Sequence, residues 1–392
     1  MNINYLREKY GASAKANALV KLLGDKRTKT VFLQGLMSSA APMIFASVAD
    51  KTDKTLLFIL SDNDEAGYFF NDLKQILGEE NALLLPSSYR RSVKYAQRDA
   101  ANEILRTEVL SRLSAEIEKD AADSRMARMI VTYPEALAEL VVSRRNISEK
   151  TIKLKRGDNT DLTLLEHRLR DVGFHEVDYV YEPGQFAVRG SILDIYSFSH
   201  ELPYRIDFFG DEIDTIRTFE VESQLSKQSI DEASIVPELA LSTEKTPFLD
   251  FLPDDALIVA KDLEFVKQTI ARIYEEGFAA QAMVEQLEGL PEAERQGVID
   301  RLTRESMLIN GSDFEKAISR FKTIEYGARK SGQQASISFS ISPQPLFHKD
   351  FRLLKDSLTD YQLKGYEICI LAGWLHAGQQ RGRRPGAAVL RE

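Results

Sequence analysis

Cysteine is almost absent from this 392-residue chain: Cys369 is the only one, so no disulfide can form within it, and the count fits a reducing compartment. Histidine is scarce as well. The five histidines, at 167, 175, 200, 348 and 376, have no cysteine partners and no short paired spacing, which speaks against a zinc site built from the protein's own ligands. Long apolar runs are missing: stretches such as LLFIL fall far short of the ~20 residues that a membrane-spanning helix needs. The first residues, MNINYLREKYGASAKA, hold no signal-peptide core. Excess positive charge is lacking too. A net charge of -9 gives no bulk attraction to nucleic acid or to an anionic membrane, and leaves only a local basic patch for such contact. These absences predict a soluble cytoplasmic protein with no metal or other cofactor. What is present is ordinary for globular protein, 43% hydrophobic residues in a length that accommodates two or three domains.

From the start to about residue 145, short apolar strands (TVFLQ, TLLFIL, ALLL, MIVT) alternate with helices (DEAGYFFNDLKQIL, ANEILRTEVLSRLSAEIEKD). In the second helix Leu105, Val109, Leu113 and Ile117 recur every fourth residue, the pattern of a helix laid on a sheet. Strand, helix, strand in succession predicts a parallel α/β sheet, because parallel strands need crossover connections. Near Ser143 the pattern changes to SRRNISEKTIKLKRGDN, a helix (DLTLLEHRLRDVGF) and short alternating strands (QFAVRGSILDIYSF, YRIDFF, EIDTIRTFEV). The pair Gly210-Asp211 suits a tight hairpin. This predicts an inserted small α+β domain with an antiparallel sheet. After about Pro237 come the strand ALIVA, a helical, charge-laced region over 263–329, and the further strands ASISFSISPQPL and GYEICIL. The expected division is therefore 1–145, 146–236 and 237–372, with 373–392 a disordered or non-native end.

Two places invite a chemical reading. The stretch LQGLMSSAAPMIFASVA, residues 33–49, follows an apolar strand and precedes a helix, which is the layout of a P-loop. A working loop carries a second glycine, a phosphate-binding lysine and a magnesium-binding hydroxyl, whereas here Gly35 is followed at those positions by Ala40, Ala41 and Pro42. A plain strand-to-helix connection is the preferred reading, with Ser38 and Ser39 capping the helix and Pro42 tolerated in its first turn. The best candidate for a magnesium-positioning carboxylate, in ALIVAKDLEF, sets Ala260 and Lys261 after the strand with Asp262 and Glu264 offset, a poor match. Both features argue against ATP hydrolysis.

The second place is ELPYRIDFFGDEIDTIRTF. Period-two alternation puts Tyr204, Ile206 and Phe208 on a core face and Arg205, Asp207 and Phe209 on the other. An arginine and an aromatic side by side are residue types enriched at binding hot spots. The plainer alternative pairs Arg205 with a nearby acid such as Asp207 and seats Phe209 in a minor core, and Arg189 in FAVRGSILDIY is equally open. The stretch YRRSVKYAQRD, residues 89–99, interleaves aromatics with positive charge and reads as a solvated loop rather than a nucleic-acid contact.

Residues 181–226, YEPGQFAVRGSILDIYSFSHELPYRIDFFGDEIDTIRTFEVESQLS, closely resemble the second domain of the bacterial transcription-repair coupling factors (Mfd). The resemblance continues in weaker form through residues 33–49, LLFILSDNDEAGYFFNDLKQIL and MIVTYPEALAEL, and covers most of the chain to about Leu371. It implies a UvrB-like, helicase-like body with a degenerate P-loop, kept as a docking platform after losing ATP chemistry. UvrB itself would be expected to carry an intact P-loop and an aromatic-rich hairpin where PSSYRRSVKYAQRDAA stands. The family's partner is UvrA, contacted through residues matching Arg189, Arg205 and Phe209. The resemblance further implies that RNA polymerase and double-stranded DNA bind other regions of the full family protein, an ATP-dependent DNA translocase, and that its C-terminal domain covers the docking surface at rest. Two alternatives stay open: a UvrB-like ATP-dependent damage-recognition protein, and an intramolecular regulatory spacer.

Overall fold

The short apolar runs become strands because each is buried on both sides. The computed structural model describes residues 3–78, 81–88, 100–118, 128–238, 244–276, 308–327, 332–341 and 350–368. Its larger sheet has seven strands in the order β17 (Ala335–Ser338), β1 (Thr30–Gln34), β16 (Lys322–Gly327), β15 (Leu257–Ala260), β2 (Leu56–Ile59), β4 (Met129–Thr132) and β3 (Ala82–Leu84). Every neighbouring pair is parallel. Alternation within each strand feeds two cores, one on each face of the sheet. Phe58, Met129, Val131, Leu257 and Val259 join the core that holds Phe45 and Phe69. Leu57, Ile59, Ile130, Ile258 and Ala260 join the one that holds Val109, Leu113, Phe251 and Phe314. On the first face Phe58 meets Phe45 edge-on with centroids 5.0 Å apart, and lies 4.9 Å from Phe69.

Strands from both ends of the chain share this sheet, since β15 and β16 lie between β2 and β1. The helical region expected over 263–329 therefore needs correction. A helix runs over Leu263–Glu276 and another over Gly311–Ser319, but Lys322–Gly327 is a strand inside the sheet. KTIEYG hides its nature because Glu325, which reads as a surface charge, is only 8% exposed and accepts the Leu263 N–H at 3.1 Å. The expected strand GYEICIL is not formed over its described part, residues 365–368, which follow the helix Phe351–Leu363 as turn and irregular backbone. The remainder of that stretch, residues 89–99 and the end 373–392 lie outside the described residues.

Two short antiparallel pairs also form, β5 (Val141–Val142) with β14 (Lys245–Thr246) and β6 (Ile152–Lys155) with β13 (Glu232–Ile235). The second large sheet has six strands: β12 (Ser226–Ile230), β11 (Glu212–Phe219), β10 (Tyr204–Phe209), β9 (Ile192–Ile195), β8 (Gln185–Arg189) and β7 (His175–Glu176). All its pairs are antiparallel except β7 with β8. Gly210 opens the β10–β11 turn at φ +62 and Asp211 has negative φ, so the expected hairpin forms with glycine at the one position that demands it. The front face packs Phe186, Leu193, Ile195, Tyr204, Ile206 and Phe208 under Leu165 and Leu169 of the helix Leu162–Asp171. Asp161 caps that helix through the Thr163 and Leu164 N–H groups.

Candidate functional site

The back face of the six-stranded sheet gathers charge on a small apolar floor. Val180, Ala187, Tyr196 and Phe219 form that floor, with Val177 and Val221 at its edge. Register then sets Ala187, Asp194, Arg205, Arg217 and Ser229 in one row across β8 to β12. Asp194 is fully buried and stands at the centre of the charges. Arg205 grips it with two parallel bonds, Nε to Oδ1 at 2.7 Å and Nη2 to Oδ2 at 2.8 Å, while Arg189 Nη2 shares Oδ2. The bond to Asp194 pushes the Arg205 guanidinium further above its usual range, against the opposing effect of burial.

Arg205 is otherwise enclosed. Its Cζ lies 4.4 Å from the Phe219 ring centroid, Nη1 donates to the Gln224 carbonyl at 3.1 Å, and its side chain is 15% exposed. Arg189 is 34% exposed, lies 5.1 Å from the Tyr179 ring centroid and donates to the Asp178 carbonyl. Phe209 is 83% exposed at the far end of β10, beside the Gly210 turn, and β10 shifts register against β11 between Asp207 and Phe208.

The structure thus brings Arg189 and Arg205 together on one carboxylate and leaves Phe209 apart from them, four residues along β10 from Arg205. The plainer sequence alternative holds in one half only: Arg205 is paired with an acid. Phe209 is not seated in a minor core, and Arg205 pairs with Asp194 rather than Asp207. A directly cross-strand residue is nearer than one two places along the same strand, roughly 5 Å against 7 Å. Asp207 instead takes Arg217 and the Thr215 hydroxyl. The open display of Arg205 that the alternation suggested is also corrected, because the apolar floor and the turn at 220–225 close over it.

The loop after β1 makes its own bonds. Gly35 has φ +74, and a Cβ there would stand 2.3 Å from the Phe339 carbonyl oxygen, so only glycine fits. Its N–H donates to Gly327 O at 2.6 Å, and the Ala40 and Ala41 N–H groups donate to Met37 and Ser38 carbonyls. Pro42 has no N–H and sits in the first turn of the buried helix Ala40–Val48. The capping expected of Ser39 does not occur. Ser39 lies at φ -63, ψ -7, outside the extended region a cap adopts, and the third helical residue, whose N–H it would bind, is Pro42. At the end of β15, Lys261 pairs with Glu65, and Asp262 caps the next helix through the Glu264 and Phe265 N–H groups. Among the described residues no group of three or more histidines, cysteines or acids is placed to hold a metal ion, and no helix is long and apolar enough to cross a membrane.

The family model described as "UvrB interaction domain" matches residues 152–240, the segment that holds Arg189, Asp194, Arg205 and Phe209. The chain is similar to the transcription-repair-coupling factor of Escherichia coli, 31% identical over 150 residues, which is 38% of this chain and 13% of that relative. It is 27% identical to that of Bacillus subtilis over 219 residues, 55% of this chain and 18% of the relative. It is 27% identical to that of Myxococcus xanthus over 249 residues, 60% of this chain and 20% of the relative. The matched stretches thus span a fifth or less of those relatives' lengths. The resemblance read from the sequence therefore holds: residues 152–240 match the UvrB interaction domain, and the chain is similar to transcription-repair-coupling factors.

Proposed function

We propose that this chain, as a relative of the transcription-repair-coupling factors, is a non-catalytic module that docks UvrA for transcription-coupled nucleotide excision repair. One observation carries the reading. Within the segment matched to the UvrB interaction domain, Phe209 is 83% exposed on the edge of an ordered arginine and aspartate face. A rigid exposed aromatic beside charged groups is the composition of a binding hot spot, and filling a partner's pocket with it leaves little side-chain entropy to lose. Arg189 and Arg205 belong to the same proposed surface.

The loop after β1 is, in this account, a degenerate P-loop. In a phosphate cradle the loop and first-turn N–H groups converge on the anion, whereas here the Gly35, Ala40 and Ala41 N–H groups serve the chain's own carbonyls. The module takes its repair role from binding and breaks no bond. We assign residues 1–145 to an α/β body, 146–236 to the docking domain and 237–372 to a second part of the body. Contact with RNA polymerase, with double-stranded DNA and with an occluding C-terminal domain belongs, on this reading, to other regions of the longer protein.

A photo-crosslinking amino acid placed at position 209 tests the assignment. UvrA adducts are expected there and not from position 164, where Leu164 is exposed on the helix covering the opposite face. Equal adducts from both positions, or from neither, would remove the proposed surface.

A further inference from the structure

Three arginines stand on the back face of the six-stranded sheet, and they have used their donors unequally. Arg205 commits Nε and Nη2 to Asp194, and Nη1 to the Gln224 carbonyl. Nη2 also reaches Gln224 Oε1 at 3.4 Å, so no nitrogen of this guanidinium is left without a partner inside the chain. Gln224 in turn holds a left-handed backbone conformation, φ +57, and its side chain donates to the Val221 carbonyl at 2.8 Å. Arg205 is thereby the clasp of the turn at 220–225, which carries Leu225 at 69% exposure.

Arg217 faces Arg205 directly from β11. Its Nη2 donates to Asp207 Oδ2, an oxygen already accepting the Thr215 hydroxyl at 2.6 Å, and 35% of its side chain is exposed. Its Nε is buried without a hydrogen-bond partner, and among the described residues Nη1 makes no bond either. At the centre of the face three arginines, 189, 205 and 217, share two aspartates, 194 and 207, and Glu212 stands opposite Phe209 at its end. Arg217 lies opposite Arg205, four residues along the strand from Phe209, so the two side chains are roughly 13 Å apart along the ribbon. A patch of about 800 Å² on one partner spans that distance easily.

Resting on the docking reading above, we infer that Arg217 is the cation on this face that meets a carboxylate of the UvrA partner, and that Arg205 is a positioning residue. A guanidinium whose Nη1 is unbonded gains a charge-assisted bond there on docking, while one already saturated would have to break its own. A charge at the edge of an interface sets association rate and salt dependence more than a buried clasp does.

The test measures binding of the whole chain to purified UvrA across a salt series, with Arg217→Gln, Arg217→Lys, Arg205→Lys and Phe209→Ala beside the parent. Hydrogen exchange over 220–225 is followed in each. Arg217→Gln is expected to weaken binding about tenfold and flatten its salt dependence, with exchange at 220–225 unchanged, and Arg217→Lys to restore the salt dependence. Arg205→Lys is expected to speed exchange at 220–225 and weaken binding with the parent's salt dependence retained. Parental affinity and salt dependence in Arg217→Gln, with binding lost in Phe209→Ala, would overturn the role of Arg217 and leave the docking surface standing. A flattened salt dependence in Arg205→Lys without faster exchange would return the contact to Arg205 and overturn the inference. Absence of binding by the parent would remove the docking reading, and this inference with it.

Discussion

Replacing Asp194 with asparagine isolates the carboxylate on which the back face is built. Asp194 is 0% exposed and its oxygens accept Arg205 Nε at 2.7 Å and Nη2 at 2.8 Å, with Arg189 Nη2 sharing Oδ2. Asparagine keeps the shape and one acceptor, but removes the negative charge and turns an amide NH2 toward a guanidinium that is 15% exposed. Breaking a buried pair by removing one partner costs about 3–5 kcal/mol. Because one acceptor survives and Arg189, 34% exposed, can turn to water, the low end applies, about 3 kcal/mol. That corresponds to roughly a two-decade rise in the open population. Hydrogen exchange of peptides covering β8 to β10, read on the whole chain, reports this opening without assuming that two separate sheets unfold together. Opening free energies within about 0.5 kcal/mol of the parent would refute the reasoning. The double variant Asp194→Leu/Arg205→Met should recover part of the loss, since apolar side chains of similar size replace a buried pair without leaving a charge unpaired.

Three further outcomes follow from other parts of the molecule. Gly35→Ala should cost more than ~2 kcal/mol and lower the thermal midpoint, because φ is +74 and the new Cβ would meet the Phe339 oxygen at 2.3 Å; an unchanged midpoint would contradict the close approach. Burial alone would raise the Glu65 carboxyl, but the bonds from Lys261 and Ser61 outweigh it and hold its pKa below the usual carboxylate value. Its contribution is therefore present above the ordinary carboxylate pKa and lost as pH falls through the folded one, so the stability gap between parent and Glu65→Gln should be full at neutral pH and close in acid. A gap that stays constant in acid would count against this linkage. Equilibrium dialysis with ATP and Mg²⁺ should detect no saturable binding up to the order of 1 mM, and micromolar binding would contradict the account of the loop after β1.

Much of the fold was readable in the sequence wherever a strand is buried on both faces, because unbroken apolar runs such as TVFLQ, LLFI and MIVT are too short for a helix and too apolar for a surface loop. The strand at Lys322–Gly327 escaped because its buried positions include Glu325, and because the helices before it suggested that the same pattern continued. The candidate site was readable only in part. Alternation in YRIDFF correctly separated Arg205, Asp207 and Phe209 from the core side of β10, but alternation cannot say which acid an arginine meets, since that depends on the register of a neighbouring strand. Asp194 was missed for this reason. Its signal was an acid inside the apolar run SILDIY, between two arginine-bearing strands, where a lone carboxylate is too costly to bury without partners. Arg217 was missed because EIDTIRTF looks like an ordinary solvated strand face until Arg205 is found opposite it.

On the reading proposed above, the segment matched to the UvrB interaction domain docks UvrA through the Phe209 end of its back face. Calorimetric titration of the whole chain with UvrA, beside Phe209→Ala, tests it most directly. At 83% exposure Phe209 contributes little to folding, so the variant should keep the parent's thermal midpoint and hydrogen exchange. Saturable binding by the parent is expected, weakened about 30-fold or more in the variant, as for a hot-spot aromatic worth ~2 kcal/mol or more. A folded parent that does not bind UvrA, or a variant that binds as tightly as the parent, would contradict it.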